Sequence, residues 1–396
     1  MDTIEPDRLS PRRRRAFRLM SVAVAVIAVA GIAYLYPTLS SRPPPKADSI
    51  TAIDHFISTQ AQQQRFSGTV LIAQNGKVLL DKGYGWADKD QRLLNHPTTM
   101  FRIASITKQF TAMAILLLQE QGKLRVQDLI CIYVSSCPSA WKTITIQHLL
   151  IHTSGIPDYV TTVPPQQATS PDLLIASFES KPLDFLPGTK FRYTNSGYVL
   201  LGSVIEKLTG MSYAAFLQQT ILQVLHLSNT GYDQNSPPLP EHATGYKQPW
   251  VKADYLDMSV AYAAGALYST VDDLYRWDTA VFTGAFATSD SRTQMFAPQV
   301  TTCDDQGTLC SSSECDAQRI NCFSYGYGWI LQQVPVDQQY ARVIAHGGSL
   351  PGFVSGNFYY PDQKLTLIVL SNLETFSANA LSINAIVESA FIRHLI

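Results

Sequence analysis

Phe101-Arg102-Ile103-Ala104-Ser105-Ile106-Thr107-Lys108, running on without a break to Gln121, is the stretch from which the chain is best read. Residues 103–121 are good helix formers with apolar side chains on nearly every face, the pattern of a helix buried all round. Gly122 is placed to cap its C-terminus. Working outward, 51–65 has a helical pattern, and 66–73 and 77–84 are strand-like runs around Asn75-Gly76, a pair that favours a tight hairpin. At the far end 327–333, 342–346, 354–360 and 365–371 have strand patterns, and 377–395 reads as a closing helix. Between the two ends, helical patterns such as 197–208 and 213–225 alternate with Pro and Gly loops. Strands at both ends with helices between them predict an α+β fold. Its antiparallel sheet is built from about 50–100 and 324–396 and flanked by helices, and a mostly helical part, about 101–323, is inserted.

Three groups of residues suggest chemistry. Ser105 and Lys108 lie three apart at the start of the buried helix, where side chains share a face. Free N–H groups and the helix dipole favour developing negative charge there. A serine hydroxyl is a weak nucleophile until a base or cation stands beside it. A lysine in an apolar wall is such a partner, through a depressed pKa or through its charge. The spacing alone is unspecific, since Ser139 and Lys142 repeat it in a loop after Pro138. Tyr193-Thr194-Asn195 follows Pro187-Gly188 before a helical run. There a tyrosinate near the lysine would take the serine proton and pass it to the leaving group. Asn195 would donate to substrate or bridge to the lysine. His346-Gly347-Gly348 ends a strand-like run, and its glycines would leave an edge open for a substrate backbone. The N–H of Ser349 would join that of Ser105 in an oxyanion hole. His346 itself would bind a substrate carboxylate or orient the tyrosine.

In this order the three motifs resemble those of the β-lactamase-related serine hydrolases, the group of class C β-lactamases, DD-peptidases, D-aminopeptidases and esterases. The resemblance runs from about residue 52 to the C-terminus. It includes Leu149-Leu150-Ile151-His152-Thr153-Ser154-Gly155, Ala264-Gly265-Ala266-Leu267-Tyr268-Ser269-Thr270 and Tyr327-Gly328-Trp329. It implies a β-lactamase/transpeptidase-like fold and an acyl-enzyme on Ser105. Lys108 and Tyr193 would be the proton-transfer pair, with Asn195, His346, Gly347, Gly348 and Ser349 around the substrate and His152 as a loop support. Efficient class C β-lactamases carry Lys-Thr-Gly where this chain has His346-Gly347-Gly348. A histidine is mostly neutral at pH 7, so the resemblance implies a peptidase or esterase rather than an efficient β-lactamase. The alternative is a penicillin-recognising binding or receptor protein with little turnover.

The chain has 396 residues, 46% apolar and 15% charged, with a formal net charge of -1, which gives no reason to expect nucleic acid as a partner. Arg12 to Arg15 and Arg18 precede eighteen uncharged residues, 19–36. That reads as a basic cytoplasmic tail (1–18), a transmembrane signal anchor (19–36) and a Pro-rich linker (37–49), followed by the catalytic domain (50–396). The expected place is a bacterial-type inner membrane with the domain exported. Ala28-Val29-Ala30 offers the alternative of a cleaved signal peptide and secretion. Six cysteines, Cys131, Cys137, Cys303, Cys310, Cys315 and Cys322, fit disulfides in an exported chain. Cys131–Cys137 and local pairing among the other four are expected. Their spacing lacks the short Cys-x2-Cys of zinc sites, so neither metal nor cofactor is implied. The expected partner is a small-molecule or peptide substrate, and the oligomeric state is left open.

Overall fold

In the computed structural model, residues 50–235, 241–304, 306–311, 322–336 and 339–376 are described. The tail, anchor, linker, closing helix and Cys315 fall outside them. Among the described residues no helix is long and apolar enough to cross a membrane.

Helix α1 (Ile50–Gln62) precedes the hairpin β1 (Gly68–Gln74) and β2 (Lys77–Tyr84), with Asn75 and Gly76 both at positive φ in the turn. The chain returns to the same sheet through β3 (Val300–Thr302), β4 (Phe323–Tyr325), β5 (Ile330–Val336), β6 (Gln339–Leu350), β7 (Phe353–Tyr360) and β8 (Leu365–Ser371). The spatial order is β3-β4-β5-β6-β7-β8-β1-β2, antiparallel throughout. The two chain ends meet where β1 pairs β8, from Gly68 opposite Ser371 to Gln74 opposite Leu365. The sheet therefore reaches back to residue 300, earlier than the sequence pattern places it.

β1 and β8 are apolar on both faces because both are covered. With side chains alternating at period two, Val70, Ile72, Leu367 and Val369 face a core with Ile53 and Ile57 of α1, while Leu71, Ile368 and Leu370 face the large helical core. That second core holds α2 (Thr107–Glu120), α3 (Asn195–Thr209), α4 (Met258–Gly265) and α5 (Val271–Thr283). Phe110 of α2 stacks on Trp277 of α5 with ring centroids 4.2 Å apart. Gly122, at φ +69°, ends α2 as expected. Its N–H bonds Gln119 O and that of Lys123 bonds Leu118 O, which satisfies carbonyls the helix leaves free. The start of α2 differs from the sequence reading. Ala104–Ile106 is a 3₁₀ turn with Ala104 at φ +49°, and the α-helix begins only at Thr107. Residues 213–225 likewise divide into a short α-helix, Tyr213–Leu217, and a π turn, Gln218–Leu222.

Cys131 is bonded to Cys137 and Cys303 to Cys310. The sulfur of Cys322 lies 2.8 Å from that of Cys303.

Candidate active site

The 3₁₀ turn lifts Ser105 to the helical end of the sheet and leaves it half-buried, while Lys108, one turn on, is 0% exposed. Lys108 Nζ is 3.1 Å from Ser105 Oγ, 2.9 Å from Asn195 Oδ1 and 2.8 Å from the Ala264 carbonyl. The Ala264 carbonyl is available because it sits in the last turn of α4, where intrahelical partners run out. Burial pushes Lys108 down to about 7, although the charge of Asp158 pulls the other way. A neutral amine has two N–H donors and one lone pair. With Asn195 Oδ1 and Ala264 O as fixed acceptors, the lone pair is left for the Ser105 hydroxyl.

Asn195 opens α3 and bridges outward. Its backbone N–H and its Nδ2 donate to Asp158 Oδ2, at 3.0 and 3.1 Å. These bonds fix the amide so that Oδ1 faces the lysine. Asp158 was not singled out in the sequence. The only cue was its place three residues past Gly155 of the His152-Thr153-Ser154-Gly155 loop. Burial raises its pKa, opposed first by the Asn195 backbone N–H.

Tyr193 lies beside this pair, with its ring centroid 4.8 Å from Lys108 Nζ. Its Oη meets no hydrogen-bond partner at ordinary geometry, and burial raises its pKa, with the Ser105 hydroxyl opposing in part. The expected tyrosinate is therefore replaced by a neutral phenol, because desolvation disfavours its charged form. His152 supports the segment. It is fully buried at φ +59°, its Nδ1 accepts the Thr194 N–H at 3.2 Å, and its ring lies 4.3 Å from that of Tyr193.

β6 forms the opposite wall. Its partner β5 begins at Ile330, opposite Ala345, so no described strand covers 346–350 on that side. The open edge comes from β5 beginning only at Ile330 and not from the glycines. Gly348 serves close approach instead. A Cβ there would stand 2.4 Å from Ile103 O, 2.5 Å from Ser355 Oγ and 2.9 Å from Ala104 Cβ. Gly348→Ala is therefore expected to cost about 1–3 kcal/mol of stability and to slow acylation of Ser105 at least about tenfold by moving its turn. Urea melts and fluorophosphonate labelling rates check this. Ser349 remains half-exposed along the open edge.

His346 is 1% exposed. Its Nδ1 sits 2.6 Å from Gly347 O, so it carries the proton, and its Nε2 accepts from Tyr325 Oη at 3.0 Å. Burial, then the nearby Lys108, pushes its pKa down to about 3. A neutral, enclosed ring is not a cation for a carboxylate. Its ring centroid lies 6.1 Å from that of Tyr193, and its two nitrogens are engaged by Gly347 and Tyr325. Ser139 and Lys142 are both exposed and frame no site.

A family model described as Beta-lactamase matches residues 53–389. The chain is 31% identical over 340 residues to a penicillin-binding protein of Bacillus subtilis strain 168, covering 80% of this chain and 70% of that one. Among solved structures it is similar to the octameric penicillin-binding protein homologue from Pyrococcus abyssi, at 25% identity and TM-score 0.71 over 85% of this chain and 76% of the other. The fold is also that of D-amino acid amidase from Ochrobactrum anthropi SV3, at 21% identity and TM-score 0.73 over 88% and 100%.

Proposed function

The chain belongs to the β-lactamase family of serine hydrolases and has the β-lactamase/transpeptidase-like fold, and from that premise we propose that it hydrolyses amides or esters through an acyl-enzyme on Ser105. The observation that carries the reading is the Lys108 amine 3.1 Å from Ser105 Oγ, with its other contacts taken by Asn195 and Ala264. The neutral amine takes the hydroxyl proton as Oγ attacks the carbonyl. The N–H groups of Ser105 and Ser349 receive the oxyanion. The proton then passes by way of the Tyr193 phenol to the departing group, and water later releases the acyl group.

The substrate class follows from what the edge lacks. With His346 neutral and enclosed, a free carboxylate finds no cation in this motif. Small D-configured amides, peptides and simple esters fit better than penicillins or cephalosporins. The relative named as a D-amino acid amidase points the same way. The Cys131–Cys137 and Cys303–Cys310 bonds suit an exported domain, and 19–36 suits a membrane anchor.

Labelling with a fluorophosphonate and mapping by mass spectrometry is expected to give one adduct, on the peptide that contains Ser105. D-phenylalanine amide and p-nitrophenyl acetate should turn over at least about tenfold faster than nitrocefin. A folded protein that takes no label would remove the acyl-enzyme, and nitrocefin as the best of the three would reverse the substrate class.

A further inference from the structure

Tyr193 differs from its neighbours in how it is held. Lys108 and Asn195 are each tied by several side-chain hydrogen bonds, whereas Tyr193 Oη has none at ordinary geometry. Its position depends on the backbone segment that carries it. That segment is gripped from outside by the loop after β3.

Phe191 N–H donates to Gly307 O at 2.9 Å, and Lys190 pairs antiparallel with Thr308. The approach is backbone to backbone, since a Cβ on Gly307 (φ +73°) would stand 1.8 Å from Phe191 O. The described residues of the loop are tied to one another. Cys303–Cys310 closes it, Asp304 Oδ1 accepts the N–H groups of Gln306 and Thr308, and Cys310 N–H bonds Thr301 O. From the clamped segment the contact passes inward. The Phe191 ring lies 5.8 Å from that of His152, Arg192 N–H bonds His152 O, and His152 packs against Tyr193.

We propose that the disulfide-closed loop 303–310 is a positioning strap, which holds Tyr193 over Ser105 and Lys108 through its backbone contacts to Lys190 and Phe191. Among its described residues, none bonds to Ser105, Lys108 or Tyr193. Its action is on the placement of the tyrosine, and it rests on the proton-carrying role of Tyr193 given above.

A proton carrier matters most for a poor leaving group, so phenyl acetate and p-nitrophenyl acetate separate placement from general damage. Two variants loosen the strap differently: Cys303→Ser with Cys310→Ser opens the ring, and Gly307→Val pushes the loop off Phe191. Each, at a temperature where circular dichroism shows it folded, is expected to lose at least about tenfold in kcat/KM for phenyl acetate. For p-nitrophenyl acetate it should stay within about threefold of wild type. Combined with Tyr193→Phe, neither should slow phenyl acetate more than about twofold beyond Tyr193→Phe alone, because both act on one group. Cys131→Ser with Cys137→Ser, which removes the other disulfide, should leave the ratio of the two esters unchanged.

Equal losses on both esters, or losses that multiply with Tyr193→Phe, would overturn the strap. So would a wild-type ratio in folded strap variants when Tyr193→Phe itself is slow. If Tyr193→Phe keeps the wild-type ratio, the proton-carrying role fails first and takes the strap with it.

Discussion

Ser105→Ala is expected to lower kcat for p-nitrophenyl acetate by at least about 10³-fold, a barrier increase of about 4 kcal/mol. Folding stability should change by no more than about 1 kcal/mol. The two effects separate because of where the hydroxyl sits. Ser105 is half-buried in a 3₁₀ turn and belongs to neither hydrophobic core, so its loss leaves them intact. Lys108 keeps Asn195 Oδ1 and Ala264 O as acceptors and is not orphaned. No nucleophile, however, remains at the head of α2. Ser139→Ala is the matched control, since Ser139 and Lys142 have the same spacing but are both exposed. It should leave kcat unchanged. Steady-state kinetics and urea melts on the two variants check this. More than a tenth of wild-type turnover in Ser105→Ala, or a comparable loss in Ser139→Ala, would take the nucleophile away from Ser105.

The same pair shows how far the sequence could be read. Spacing put Ser105 and Lys108 together, and the buried helix behind them set them apart from Ser139 and Lys142. Those are local features, and local periodicity survives into structure. The two-ended sheet was legible for a similar reason, because the unbroken apolar runs of β1 and β8 reflect cover on both faces. The contacts that decide the chemistry are not local. Asp158 orients Asn195 across 37 residues, and the Ala264 carbonyl reaches Lys108 across 156. No pattern marks either as a partner. From the sequence, His346 could bind a substrate carboxylate or orient the tyrosine, and the first role needs a side chain open to substrate. The side chain turns inward to Tyr325 instead, and a strand register cannot reveal which way one ring packs. Tyr193 was read as a tyrosinate because a lysine lay near. Desolvation, which depends on the whole fold, reverses that.

Lys108→Met should cost about 10³-fold in kcat/KM, within the usual span for loss of a positioned base. It should also remove a pH dependence. With its pKa brought down to about 7 by burial, Lys108 in the wild type is protonated below that pH and has no lone pair for Ser105. Activity should rise with pH through a midpoint near 7. His346, pushed down to about 3, and His152, well below its ordinary value, do not titrate there. Asp158 is the charge that raises Lys108, so Asp158→Asn should move the midpoint to lower pH. Stability gives an independent reading. Between pH 7 and 10.5 the unfolded chain holds a proton on Lys108 that the native state does not, so stability increases with pH across that window. Wild type should gain up to about 1.4 kcal/mol per pH unit relative to Lys108→Met, which has no such proton. Urea melts of both proteins at pH 7.5 and 8.5 measure the difference, and initial rates from pH 5 to 9 measure the midpoint. A flat rate profile, or the same rising limb in Lys108→Met, would mean that another group takes the serine proton.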